Sequence, residues 1–306
     1  MDIFAIGEPM FEFNRAVGSA SWLEGIGGDT SNAMVAASRC NAATGYFTLL
    51  GKDLFGDAIR AMWRAEGVDE HSVISHESAP TGVYFVTHDA EGHHFTYLRK
   101  NSAASLMTPA DLPVAALKRA KILHVSGISQ AISNNAAQSV RAAMDIVRDG
   151  GGLVSYDTNL RLKLWPLEQA RATTHEAMRH VDIALPGLDD ARLLTGLEDA
   201  DAIVDYYLKL GAKVVALTLG AAGSLVATPD QRKRLASIKV AAIDATGAGD
   251  TFDGAFLAEF LRSRDAFRAG RYANIAAALS TCGYGAITAM PRHAQVEARM
   301  TDATAS

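Results

Sequence analysis

Residues Ala245-Thr246-Gly247-Ala248-Gly249-Asp250-Thr251-Phe252-Asp253-Gly254-Ala255-Phe256 pack three glycines and two aspartates at the start of an apolar run. Upstream, Ile238, Val240 and Ala242 alternate with Lys239 and Ala241, the period of a strand. Downstream, Phe252, Phe256 and Phe260 recur every four residues beside Leu257 and Leu261, the stripe of a helix. Thr246-Gly247-Ala248-Gly249 is therefore expected at a strand-to-helix junction. Glycines there leave backbone N–H groups free, and the positive end of the helix dipole joins them in an anion site. Asp250 follows at once. A carboxylate beside an anion site repels a bound phosphate unless it takes part in the reaction, as a base for a hydroxyl attacking phosphorus. The other reading is a plain cap on the helix amides, and the residues alone leave both open.

Other phosphate motifs are missing. The sole Gly-Lys pair, Gly51-Lys52, is followed by Asp53, so no G-x-x-x-x-G-K-[ST] loop exists. The nearest approach to G-x-G-x-x-G, Gly25-Ile26-Gly27-Gly28-Asp29-Thr30, ends in threonine and follows no clear strand. Both a P-loop ATPase and a nicotinamide dehydrogenase are disfavoured.

The elements that must hold this turn alternate along the chain. Apolar runs of strand length fall at Ile3 to Ile6, Thr44 to Leu50, Ile122 to Ser126, Gly152 to Tyr156, Ile183 to Leu185 and Val214 to Leu219. Helical spacing lies between them, at Ala33 to Arg39, Asp57 to Glu66, Ser133 to Asp149 and Leu167 to His180. That order predicts an α/β fold with a mostly parallel sheet between helical layers, and ligands beyond the carboxyl ends of its strands. Residues 81–100 break the alternation, reading as two strands around Asp89-Ala90-Glu91-Gly92. Pairing about that turn sets Tyr84 opposite Tyr97 and puts Phe95, Tyr97 and Arg99 on one face. The pattern alone fits an ordinary amphipathic hairpin equally well.

With 306 residues, 49% hydrophobic, the chain can bury an extensive core as one main domain carrying this hairpin as an insertion. A net charge of -5 with scattered Lys and Arg points away from nucleic acid and anionic membranes. Two distant cysteines, Cys40 and Cys282, make no disulfide framework or zinc spacing. The adjacent His93 and His94 would face opposite sides of a strand, which disfavours a metal site. No apolar run reaches the ~20 residues of a membrane span, and the N-terminus lacks a basic region before its apolar residues. A cytoplasmic protein is expected, with Thr301 to Ser306 as a loose tail.

Taken together, the motifs resemble the ribokinase (PfkB) family of carbohydrate kinases. Asp244 to Phe256 is similar to that family's C-terminal signature, and Gly27-Gly28-Asp29-Thr30-Ser31-Asn32-Ala33 to its N-terminal glycine pair. Gly51 to Asp57 with Gly67-Val68-Asp69, then Thr218 to Ser224, resemble its intervening landmarks in the right order. Within the family, Tyr97 to Ser105, Ser155-Tyr156-Asp157-Thr158-Asn159-Leu160-Arg161 and Gly285 to Pro291 look most like the 2-keto-3-deoxygluconate kinase branch.

The resemblance implies a ribokinase-like, Rossmann-type three-layer core. It also implies a small β lid, built from about 9–32 and 81–100, that pairs with a second subunit. It implies a kinase using ATP and Mg2+, with Asp250 as base and the amides of Gly247, Ala248 and Gly249 holding phosphoryl charge. Asn159, Arg161, Thr218, Gly220, Ala221 and Gly223, with Gly247 and Gly249, would line the nucleotide. Gly28, Asp29 and Asn32 would hold sugar hydroxyls, and Tyr84 and Tyr97 would flank the sugar. Arg99 and Arg161 would take its carboxylate, since a neutral sugar leaves two cations without that partner. Many relatives hold magnesium with Asn-x-x-Glu; here Pro186-Gly187-Leu188-Asp189-Asp190-Ala191 offers Asp190, acting through a water. A monovalent cation such as K+ near Asp244 and Thr246 is left open. So are the epimeric galactonate-derived acid, fructose or ribose as substrate, and a sugar-binding protein without turnover.

Overall fold

Strands and helices alternate as the apolar runs predict. The computed structural model describes residues 1–15, 17–89 and 92–302, so Ala90 and Glu91 of the expected turn and residues 303–306 of the expected tail lie outside the described residues. The chain begins with β1 (Ile3–Ile6), β2 (Met10–Arg15), β3 (Leu23–Gly27), β4 (Thr44–Phe47), β5 (Leu49–Gly51), β6 (Val68–Asp69) and β7 (Ile74–His76). The hairpin β8 (Val83–Asp89) and β9 (Gly92–Leu98) follows. Then come β10 (Ile122–Ser126), β11 (Leu153–Asp157), β12 (Ile183–Leu185), β13 (Val214–Thr218), β14 (Ser224–Ala227) and β15 (Arg232–Leu235).

Nine of these form one sheet in the order β15-β14-β13-β12-β11-β10-β1-β4-β6, parallel from β13 to β6 and antiparallel at β14 and β15. Its central strands are buried at nearly every position because helices cover both faces. β1 shows the division. Ile3 and Ala5 join a core with Phe252 and Phe256, while Phe4 and Ile6 join a second core with Val140, Met144 and Ile203. The predicted phenylalanine stripe is real, with rings stacked 5.9 Å apart for Phe252 and Phe256 and 6.1 Å for Phe256 and Phe260.

A second sheet, ordered β3-β2-β8-β9, stands at the carboxyl end of the first. Tyr84 pairs with Tyr97 in the expected register. One face carries Phe13 stacked on Phe85 at 5.3 Å, and the other carries Tyr84, Phe95 and Tyr97. Residues 29–32 are not strand but the first turn of α1 (Asp29–Arg39), which starts at Gly28 with φ +125°, and α2 (Leu54–Glu66) follows β5.

One expected strand is absent. Ile238 to Ala242 alternates in sequence but forms no ladder. It leaves the large sheet after the edge strand β15 with no neighbour to pair with, and most of it is exposed. The glycine turn is thus fed by irregular chain rather than by a strand.

Candidate active site

The ends of β1, β10, β11, β12 and β13 open into a cleft of about 1100 Å³, with Tyr84, Tyr97 and Arg99 of the small sheet on its far wall. Gly28, Asp29, Asn32, Asn159, Arg161, Asp190, Thr218, Gly247, Gly249 and Asp250 all line it. Gly220, Ala221 and Gly223 do not. Gly220 and Ala221 lie on an exposed turn just beyond Thr218, and Gly223 is buried where that turn enters β14.

The glycine turn works as its composition suggests, with one shift. Gly247 caps α3 (Ala248–Ser263) at φ +73°, and a β-carbon there would fall 2.9 Å from Ala286. Ala248 N donates to Ala245 O at 3.1 Å and Thr251 N to Gly247 O at 2.8 Å. Among the described residues the amides of Gly247, Gly249 and Asp250 have no acceptor and are the turn's open donors at the positive helix end, whereas that of Ala248 is not. A β-carbon on Gly249 would meet nothing within 4 Å, so the space before it is free for a ligand. The capping role for Asp250 is not seen. No side chain caps this helix, and the Asp250 carboxylate instead accepts from Asn32 Nδ2 at 2.8 Å, across to α1.

Burial first, and then the Asp29 charge, raise the Asp250 pKa to about 7, against the opposing pull of the Asn32 bond and of Arg161. A carboxylate in that range can both hold and release a proton near neutrality. Beside it, Asn159 Nδ2 donates to Asp29 Oδ2 at 3.1 Å, and Asn159 N donates to Asp157 Oδ1 at 3.1 Å. Asp29 Oδ1 and Asn32 Oδ1 are buried acceptors without a partner among the described residues. Such atoms are costly unless a ligand brings donors, and hydroxyl groups do so.

Two acids missed by the sequence reading lie below. Burial pushes the pKa of Asp157 and of Asp253 well above the carboxylate range, reinforced for Asp157 by Asp29 and for Asp253 by Asp157. His124, whose Nε2 lies 4.0 Å from Asp253 Oδ2, stays neutral because burial drives its pKa to about 3. Asp157 stands at the carboxyl end of a parallel strand, a signal the sequence already offered.

Arg99 requires a correction. It does not await a partner: its Nε donates to Glu8 Oε2 at 2.8 Å, Nη2 joins the same oxygen, and Ser102 Oγ donates to the other oxygen. Arg161 matches the expectation better. It is exposed in the cleft, donates Nη1 to Leu160 O at 2.9 Å, and has no ion pair among the described residues. The Tyr84 hydroxyl is likewise engaged, donating to Glu12, so Tyr84 offers its ring rather than its hydroxyl to the cleft.

No three His, Cys, Asp or Glu side chains among the described residues converge to hold a metal directly. Asp190 Oδ2 accepts from Leu160 N at 2.8 Å, and burial raises its pKa against that bond and Arg161. Its other oxygen remains. A single carboxylate with water suits magnesium, which keeps much of its hydration shell beside phosphates. Asp244 ties its own loop, accepting from Thr246 N at 2.9 Å, Thr246 Oγ1 at 2.7 Å and Gly285 N at 2.9 Å. Among the described residues no helix is long and apolar enough to cross a membrane.

The family model for the pfkB family carbohydrate kinases matches residues 2–293. Fructokinase-1 of Zea mays is 32% identical over 96% of this chain and 96% of its own length. The 2-dehydro-3-deoxygluconokinase of Bacillus subtilis (strain 168) is 34% identical over 82% of this chain and 81% of its own. The crystal structure of a putative ribokinase II from E. coli, in complex with ATP and Mg+2, superposes with a TM-score of 0.90. It is 26% identical and covers 98% of this chain and 99% of that one. With that family model matched over residues 2–293 and relatives above 30% identity along most of its length, this chain belongs to the pfkB family of carbohydrate kinases.

Proposed function

We propose that the protein phosphorylates 2-keto-3-deoxygluconate at its terminal hydroxyl with ATP, giving the 6-phospho product. The observation that carries this is the meeting, in the cleft that holds Asp250, of the Tyr84–Tyr97 wall with Arg99 and Arg161. Two guanidinium groups suit a substrate carboxylate at one end, while Asp29 Oδ1 and Asn32 Oδ1 suit hydroxyl donors along the chain.

In this reading the sugar lies between the tyrosine rings and α1, with its terminal hydroxyl toward Asp250. Asp250 takes the hydroxyl proton as the oxygen attacks the γ-phosphorus in line. The Gly247, Gly249 and Asp250 amides receive the charge on the transferring group, at the positive end of α3. Thr218, Asn159 and Arg161 line the cleft and, in this reading, serve the nucleotide. Asp190 would hold magnesium through water, and the ion would supply charge neutralisation for the nucleotide's phosphates. The small sheet acts as a lid that excludes water, the competing acceptor. Its exposed Leu23 and Phe95, on the face that also carries Tyr84 and Tyr97, suit a second subunit docking there.

A second reading, a neutral ketose such as fructose, draws support from the Glu8 carboxylate, which already offsets the Arg99 charge. A coupled assay over the keto-deoxy acid, its galactonate-derived epimer, fructose and ribose separates the two. The acid should give the highest kcat/KM. A neutral sugar in first place would overturn the assignment, and no turnover with any sugar would leave only sugar binding.

A further inference from the structure

Glu8 follows β1, on the link that carries the chain from the large sheet into the small one, and only 1% of its side chain is exposed. It nevertheless lines the cleft. Its two oxygens are both committed, one to Arg99 and one to Ser102, which lie on the chain leaving the small sheet. The surroundings are cut to fit it. A β-carbon on Gly82 would stand 2.8 Å from Glu8 Oε1, and one on Gly28 would stand 2.8 Å from the Glu8 carbonyl oxygen. A buried ion pair is poor value as structural glue, because two packed apolar side chains stabilise as well or better.

The geometry of the pair gives it another use. Glu8 takes the side-on edge of the guanidinium, Nε and Nη2, through a single oxygen. The end-on edge, Nη1 with the second hydrogen of Nη2, has no partner among the described residues, and Arg99 lines the cleft. We propose that Glu8 is the positioning residue for substrate recognition: it locks Arg99 so that only its end-on edge meets the sugar acid, and cancels its net charge. Arg99 then selects by direction and planarity, which suits a carboxylate's two oxygens, rather than by drawing in any anion. Arg161, exposed and without an ion pair, supplies the net attraction. This assignment rests on the sugar-acid reading above.

A double-mutant cycle tests it, with kcat and KM measured for wild type, Glu8→Ala, Glu8→Gln, Arg99→Met and the Glu8→Ala/Arg99→Met pair. On the keto-deoxy acid, Glu8→Ala should raise KM about tenfold, the cost of one misaligned charge-assisted hydrogen bond, with kcat nearly unchanged. Glu8→Gln should recover most of the loss, since its amide oxygen can still accept from Arg99 while its amide nitrogen turns to Ser102. In the Arg99→Met background Glu8→Ala should add nothing. An equal KM rise in that background, or an equal rise for fructose and the acid in the single variant, means Glu8 is only structural and overturns the proposal. If Arg99→Met does not fold around the abandoned carboxylate, Arg99→Lys keeps the charge without the fork and closes the same cycle. Should wild type prefer a neutral sugar, the carboxylate reading falls first, and the cycle is read on that sugar. Coupling there would keep Glu8 as the residue that positions Arg99, and additivity would remove that role as well.

Discussion

Replacing Asn32 by Ala should move the acid limb of the pH profile upward. Asn32 Nδ2 donates to Asp250 Oδ2 at 2.8 Å, and this bond holds the base's pKa down against burial and Asp29. With the bond present the pKa is about 7, so about half of the base is ready at neutral pH. A hydrogen bond to a charged group is worth about 1.5–3 kcal/mol, and about 1.4 kcal/mol corresponds to one pH unit. The variant's limb should therefore lie about one to two units higher, leaving about a tenth or less of the base ionised at pH 7. The assay is kcat/KM for the best sugar between pH 5.5 and about 9.5, with MgATP saturating for both proteins. The nucleotide's own protonation is common to both curves, so only their separation is read. Asn32 also faces the sugar, and a lost sugar contact lowers the whole curve without moving its midpoint. An unmoved midpoint, or one shifted to lower pH, would refute the claim that this bond tunes Asp250.

Asp250→Asn should cut turnover by about 10²–10⁴ while ATP binding, followed by calorimetry, persists. The same change should stabilise the protein at pH 8. The folded pKa lies above the ordinary 3.8, so wild type loses stability as pH rises from about 4 to about 7, a window the neutral amide does not share. The gain should reach about 2–4 kcal/mol above pH 7, the lower end allowing for water in the cleft, and vanish near pH 4 in melting curves. Gly249→Ala should leave the melting temperature unchanged, because its β-carbon meets nothing, yet lower kcat about 10²-fold by filling the anion turn. Gly254→Ala should do the reverse: its β-carbon would lie 2.1 Å from the Ala33 carbonyl oxygen where α3 crosses α1. The folded state should lose about 3 kcal/mol, seen as a lower denaturant midpoint.

What was legible followed local periods. The run Ile183 to Leu185 is β12 at both ends, and Ser133 to Asp149 differs from its helix only by the cap, Ser133. The hairpin register came out because a symmetric turn fixes every pair along it. The failure at Ile238 to Ala242 shows the limit of the same reasoning. Alternation describes a chain that could pair, and only the position of β15 at the sheet edge says that nothing is there to pair with. The site divides the same way. Asp250 and its glycines are one local motif, but the bonds that give them function span 218 residues from Asn32 and 130 from Asp29 to Asn159. Glu8 meets Arg99 across 91 residues, with no spacing rule to announce it.

The acids around Asp250 also explain why an arginine without a counter-ion is needed. Burial pushes the pKa of Asp157 and Asp253 upward, which opposes negative charge beneath the base. Were they ionised, Asp250 would be driven further from neutrality, because like charges in a low-dielectric site oppose ionisation. A sugar acid brings a fresh negative charge into that balance, and ATP brings more. Arg99 cannot offset it in full, since Glu8 already does so for Arg99. Arg161 can, and it already lowers the pKa of Asp250. It follows that Arg161→Met should harm the base as well as the binding, and by different amounts for different sugars. With the acid, KM should rise and the midpoint of the kcat profile should move to higher pH. With a neutral sugar the midpoint should move less, because no second carboxylate has entered. Equal midpoint shifts for the two sugars would mean that Arg161 acts on the nucleotide alone, and that the charge of the sugar never reaches Asp250.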